Sequence, residues 1–396
     1  MYATRFSTLT QSHRSTLTRR VIALLCCVTA AARIAAGAAG LTPELSATIR
    51  RGQDQLYNLD FAQAEARFAE VVHQAPAQPV GDVYLALTAL CRGVTEGMTS
   101  GITARFELHV ERATRQGLVS LDRDYDPWQR FFLGNAFILR ACALGRRGEY
   151  IAALQWFKRG MVEIDALRDD PQAGADACAV LGACEYFTAY TPWYVRMIAS
   201  LLLLPADARQ GLADLERAAE SAVFVRTEAT LLLATAYMWQ QEIERALDLN
   251  AGLLARYPGN HLLWTLQQEI LLRGDRIAAA YAIATNQVAR ISSDRRREVH
   301  GLLPDQYYTI GCIETRLGNY QRALTHFAYA ERRADDKPDI KAWALLRQGT
   351  VYDLMDRPGD ARACYTAVER FRPASSLVKD YARQFTRAPY RGGRLE

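Results

Sequence analysis

The side chains best suited to metal ligation or proton transfer are six histidines, His13, His73, His109, His261, His300 and His326. No two lie close enough along the chain to suggest a ligand pair, and no HExxH stretch occurs, so each reads as a surface or core residue. Adjacent carboxylates stand at Asp169-Asp170 and Asp335-Asp336. Acids do general acid–base work when a cleft brings distant partners together and tunes their pKa values. Both pairs instead fall in expected inter-helix turns, where acids cap helices and stay solvated. There is no GxSxG nucleophile elbow, no Walker A glycine loop and no GxGxxG after a strand. The pattern names no catalytic residue, no metal site and no cofactor. An enzyme on this chain would have to build its site from residues far apart in sequence.

Eight cysteines are present, two of them, Cys26 and Cys27, near the N-terminus. The others are Cys91, Cys142, Cys178, Cys184, Cys312 and Cys364. Cys178 and Cys184 sit about 120° apart around one helix and cannot pair there. With no CxxC, the six read as small buried hydrophobes.

The net charge of +5 is concentrated in residues 1–40, which hold Arg5, Arg14, Arg19, Arg20 and Arg33 and no acid. From Leu41 onward the chain is formally neutral, so no nucleic-acid partner is expected. Behind Arg19-Arg20, residues 21–32 (VIALLCCVTAAA) form an apolar run, followed by small residues suited to cleavage after Ala39 or Gly40. This is the layout of a secretory signal peptide and predicts export, to a bacterial periplasm or cell envelope. A mitochondrial transit peptide and an uncleaved anchor are the other readings. A lipoprotein site at Cys26 is disfavoured by the bulk of Leu25.

The elements that would position any site are helical. Residues 59–71 (LDFAQAEARFAEV), 148–160 (GEYIAALQWFKRG), 318–330 (GNYQRALTHFAYA) and 356–368 (DRPGDARACYTAV) share a turn and an Ala, then an aromatic four residues later. The pairs are Ala64/Phe68, Ala153/Phe157, Ala323/Phe327 and Ala361/Tyr365. A fifth unit at 227–260 carries Leu233, Ala234, Tyr237, Ala246 and Pro258 in matching places, with Asn250 for the aromatic. This resembles the tetratricopeptide repeat (TPR), a 34-residue helix pair with small residues at positions 8 and 20. Position 8 maps to Gly52, Ala141, Ala234, Gly311 and Gly349; position 32 maps to Pro76, Pro258 and Pro373. Small residues allow close helix approach, the aromatic fills the wedge between pairs, and proline ends the second helix.

The resemblance implies an all-α fold, a TPR-like right-handed superhelix of antiparallel helix pairs, with sixteen to eighteen helices and no sheet. Spacings of 89 and 93 residues between repeat alanines require degenerate pairs in between. Helices are expected over 79–97 and 102–120, broken at Gly97 to Gly101, over 128–145 and 172–190, and as a pair within 261–290 around Gly274-Asp275. The organisation reads as a leader (1–40), N-terminal repeats (41–190), an apolar central segment (191–226) and C-terminal repeats (227–373). A capping helix over 375–386 and a frayed tail from 387 complete it (374–396). The central WYVRMIASLLLL, 193–204, is too short to span a bilayer and reads as a buried helix, with peripheral membrane contact as the alternative.

A second resemblance rests on LYNLDFAQAEARF (56–68), the Tyr/Phe/Pro-rich stretch before Leu201 to Leu204, and ADARQGLADLERAA (206–219). Together they are similar to a TPR subfamily related to eukaryotic tetratricopeptide repeat protein 39 and its fungal outer-mitochondrial-membrane relatives. That subfamily is linked to inclusion and lipid clearance and supplies no catalytic residues.

A TPR array implies a scaffold that holds a protein or peptide in a groove lined by the first helix of each pair. The repeat frame places Gln53, Tyr57, Asn135, Arg146, Thr235, Met238, Trp239, Tyr308, Arg316, Trp343, Thr350 and Asp353 on that face, with Trp239 and Trp343 as anchors. The set is aromatic and mixed in polarity, unlike a phosphate channel. An enzyme, or an apolar-ligand or lipid carrier with a pocket inside the array, is the competing class.

Overall fold

The computed structural model describes residues 41–121, 126–191 and 206–392. The leader, the apolar run 193–204 with its membrane reading, and residues 393–396 lie outside the described residues. Seventeen α-helices and one short 3-10 turn account for most of the described chain, and none of these residues forms a β-strand. In order they are α1 (Pro43–Tyr57), α2 (Phe61–Gln74), α3 (Val80–Glu96), α4 (Ser100–Leu121), α5 (Pro127–Arg146), α6 (Tyr150–Asp165) and α7 (Gly174–Ala189). Then follow α8 (Ala208–Ser221), α9 (Arg226–Trp239), α10 (Ile243–Arg256), α11 (His261–Arg273) and α12 (Ile277–Ser293). The last are α13 (Leu303–Arg316), α14 (Tyr320–Arg333), α15 (Pro338–Leu354), α16 (Pro358–Arg370) and the capping helix α17 (Ser376–Arg387). None of the described helices is long and apolar enough to cross a membrane. The chain forms two compact units: the first holds residues 41–93 and 100–260, the second 94–99 and 261 onward.

One turn recurs in six pairs: α1–α2, α5–α6, α9–α10, α11–α12, α13–α14 and α15–α16. At position 15 of each repeat the backbone is left-handed, at Leu59, Gly148, Gln241, Asp275, Gly318 and Asp356, with φ between 56° and 81°. The next N–H reaches back to the carbonyl five residues earlier, as from Asp60 to Gln55 and from Asn319 to Glu314. This closure satisfies the end of the first helix while reversing the chain. The sixth pair is the degenerate segment expected within 261–290. It keeps the frame, with Gln268 at position 8 and the fully buried Ala280 and Ala284 at positions 20 and 24.

Packing within the pairs follows the small-against-aromatic rule. Phe68, Phe327 and Tyr365 are buried against Gly52, Gly311 and Gly349, and a Cβ on Gly311 would lie 2.7 Å from the Phe327 ring. Bare backbone at position 8 is therefore what admits the ring. These helix pairs are TPR-like.

The pair α5–α6 departs from its expected packing. Ala153 and Phe157 are only half-buried; Gly160, Met161 and Ile164 face α5 instead. Gly134 and Gly160 lie back to back, so close that a Cβ on Gly160 would meet the Gly134 carbonyl oxygen at 2.7 Å. That crossing sets which face of α6 turns inward, and it leaves Tyr150, Ile151 and Val162 exposed.

Candidate functional site

In the first unit, the first helices turn toward an interior that is filled. Gln53 is fully buried, and its amide donates to the Tyr84 hydroxyl at 2.5 Å and to the Phe224 carbonyl at 3.5 Å. Tyr57 is buried too, with its hydroxyl on the Glu228 carboxylate and its ring 5.2 Å from Tyr257. The stretch between α8 and α9 accounts for this. Phe224 packs edge-on against Trp128 and Phe132, at 4.7 and 5.6 Å between ring centres. The Asp176 carboxylate anchors the stretch by accepting the backbone N–H groups of Val223, Phe224 and Val225 at 2.6, 2.5 and 3.0 Å. Burial pushes the Asp176 carboxyl up to about 7, against the lowering effect of those N–H donors and of Arg226.

The remaining expected positions of this unit are placed as follows. Asn135 is buried and bonds back to the Phe131 carbonyl at 2.9 Å. Thr235 is buried and bonds back to the Leu231 carbonyl at 2.9 Å, and Met238 is buried beside it on α9. Trp239 is half-buried, edge-on to Phe187 and Tyr190 at 5.0 and 5.9 Å. Arg146 alone among them is exposed, at the end of α5.

The second unit differs. Trp343 is buried with its ring 6.0 Å from Tyr381 of α17, and Thr350 is buried with its hydroxyl on the Arg347 carbonyl at 2.8 Å. The exposed Arg316 pairs with Asp275 at 2.7 Å. Tyr308 and Asp353 are both half-buried and are linked through Tyr390, which packs against the same apolar cluster as Tyr308 and donates its backbone N–H to Asp353. Arg347 donates from Nε to the Tyr308 hydroxyl at 3.3 Å, and burial pushes the Tyr308 phenol up. One oxygen of Asp353, Oδ2, accepts both the Tyr365 hydroxyl at 2.6 Å and the backbone N–H of Tyr390 at 2.9 Å.

The expectation of a frayed tail from residue 387 is thus corrected at Tyr390. Its ring is half-buried and stands edge-on to Phe385 at 5.4 Å. Tyr390 lies outside any periodic pattern, so no helical signal marks it. Pro389, which cannot continue a helix, is the one sequence cue that the chain changes direction there.

Other polar clusters have structural partners. Arg168 bridges the buried Glu185 and Asp214 at 2.5 and 2.6 Å. His261 lies between Gln287 at 2.8 Å and Asp294 at 3.1 Å, and Lys337 pairs with Asp305 at 2.7 Å. Gln268, at a position held elsewhere by Gly or Ala, donates to Gln306 at 2.9 Å, which in turn donates to Thr265 at 2.8 Å. Among the described residues no three His, Cys, Asp or Glu side chains are grouped to hold a metal ion. The six described cysteines form no disulfide.

No protein-family model matches the chain, and no curated protein matches it. Solved structures are similar to it in fold. A Rap protein complexed with competence and sporulation factor shares 10% identity, over 87% of this chain and 80% of that one, with a TM-score of 0.45. The human IFIT1 dimer with m7Gppp-AAAA shares 13% identity over 88% of each chain, with a TM-score of 0.43. A tetratricopeptide repeat protein from Parabacteroides merdae shares 14% identity over 77% of this chain and 99% of that one, with a TM-score of 0.35.

Proposed function

We propose that the chain is an exported interaction scaffold whose second unit holds a protein or peptide segment against α13 and α15, the first helices of two of its pairs, and the capping helix α17. The observation that carries this reading is the contrast between the two units. In the first, the corresponding face is filled by Phe224 and its neighbours. In the second, it keeps Tyr308, Arg347 and Asp353 half-exposed, and Asp353 accepts a main-chain N–H from a segment that belongs to no helix. A carboxylate and an aromatic assigned to one face suit an extended peptide, which offers N–H groups and side chains in alternation. No catalysis is proposed.

The test is site-specific photo-crosslinking in the native host. A crosslinker at Arg316, on α13, is expected to capture a partner, while one at Arg332, exposed on α14, is not. Capture at Arg332 alone would overturn the reading. Export is tested separately by N-terminal sequencing of protein from that host, with a first residue near Leu41 expected.

A further inference from the structure

The segment that follows α17 occupies the face assigned above to a partner. Helix α17 stops at Arg387; Ala388 is extended, with φ −135° and ψ 106°, as a residue before proline prefers. The chain then brings Tyr390 over α15. There it places one main-chain N–H on Asp353 and one aromatic ring against Phe385, with Arg347 nearby and Tyr308 packed against the same apolar cluster. Asp353 lies in the last turn of α15, where the helix dipole disfavours a carboxylate, so it depends on donors from outside its helix. Tyr365 supplies one from within the repeat. Tyr390 supplies the other from beyond the last helix.

Nothing in these contacts is peculiar to the tail. They ask for an extended segment with an aromatic side chain whose own N–H points at the carboxylate. Asp353, which receives it, and Tyr308, which is bonded to Arg347 and packs against the same cluster, are positions that the repeat frame assigns to ligand contact. Burial also raises the Tyr390 phenol above its ordinary range, against the pull of Arg347, as fits a ring seated in a site.

We propose that Tyr308, Arg347, Asp353 and Phe385 form a binding site for an aromatic-bearing extended peptide, and that Tyr390 of the chain's own tail is its resident, competing occupant. This rests on the scaffold reading and goes further, naming the site, the ligand class and an internal competitor.

The experiment uses the full chain and a fluorescent peptide of residues 387–392, RAPYRG. A tethered segment acts at an effective concentration on the order of millimolar, so in the wild type it competes strongly with added peptide. Tyr390→Ala is expected to bind the peptide about tenfold more tightly than wild type. Adding Asp353→Asn to that variant should abolish the gain, and the peptide carrying Ala for Tyr should not bind. Pro389→Gly keeps the ring but loosens its approach, and should give an intermediate affinity with the fold undisturbed. Equal affinity in wild type and both tail variants overturns the proposal. So does failure of every chain to bind at millimolar peptide, or a lowered melting point in Tyr390→Ala with no binding, which would make the tail a structural strap. If the peptide fails while the crosslinker at Arg316 still captures a partner, this proposal falls and the scaffold reading stands.

Discussion

Single residues separate the two kinds of aromatic that share one sequence signature. Phe327 and Phe157 occupy the same repeat position, yet Phe327 is fully buried and Phe157 half-exposed. Phe327→Ala should cost about 3–5 kcal/mol through an inter-helix cavity, whereas Phe157→Ala should cost no more than about 1–2 kcal/mol. Denaturant unfolding of the two variants checks this. Two carboxylates should respond to acid in opposite directions. The carboxyl of Asp176, in the first unit, is raised to about 7 from an ordinary 3.8, chiefly by burial. Between about pH 4 and 7 the folded chain therefore holds a proton that the unfolded chain lacks, so lowering the pH through this window favours the fold. Asp294, in the second unit, is held well below the usual carboxylate range, first by its side-chain bond with Arg296. Its contribution is present above about pH 4 and is lost as the pH falls further. Thermal melts against Asp176→Asn should thus show the wild type gaining ground from pH 8 to pH 5. Against Asp294→Asn the wild-type advantage should shrink only below pH 4.

At the scale of elements, the helix pairs were legible because small and aromatic residues recur at fixed positions. The breaks at Gly97 to Gly101 and Gly274-Asp275 were legible because glycine marks turns. What the pattern did not carry was the inward face of α6, since a Gly134–Gly160 crossing depends on which two glycines meet in space. The candidate site was legible in part for a related reason. Tyr308 and Asp353 follow from the repeat frame. Gln53 and Asn135 are assigned to the same face of their own repeats but are covered in the first unit, and only contacts distant in sequence decide that. The recurring turn supplies a test of its own. Gln241 and Asp356 are exposed yet adopt left-handed φ values of 65° and 56°, a conformation that disfavours side chains other than glycine. Gln241→Gly and Asp356→Gly should each stabilise by up to about 1 kcal/mol, seen as a higher midpoint in urea. Leu59, at the same turn position, is buried, so its replacement by glycine should destabilise instead.

At the scale of the whole molecule, arrays of helix pairs are ordinarily quasi-linear, each pair meeting its neighbours alone, so that unfolding can begin at an end and spread. The first unit is tied differently. Asp54 and Tyr57 of α1 bond with Arg256, Tyr257, Asn260 and Glu228, residues about 170 to 200 positions further along. The opening helix is therefore an interior partner of the unit's last helices and not a loose end. Such a chain cannot fray one pair at a time, and its folding must wait for a long loop to close before those contacts reward it. Amide exchange in the first unit should accordingly proceed by one shared global opening, with α1 as slow as α9. Its refolding should be slower than that of an open array of the same length.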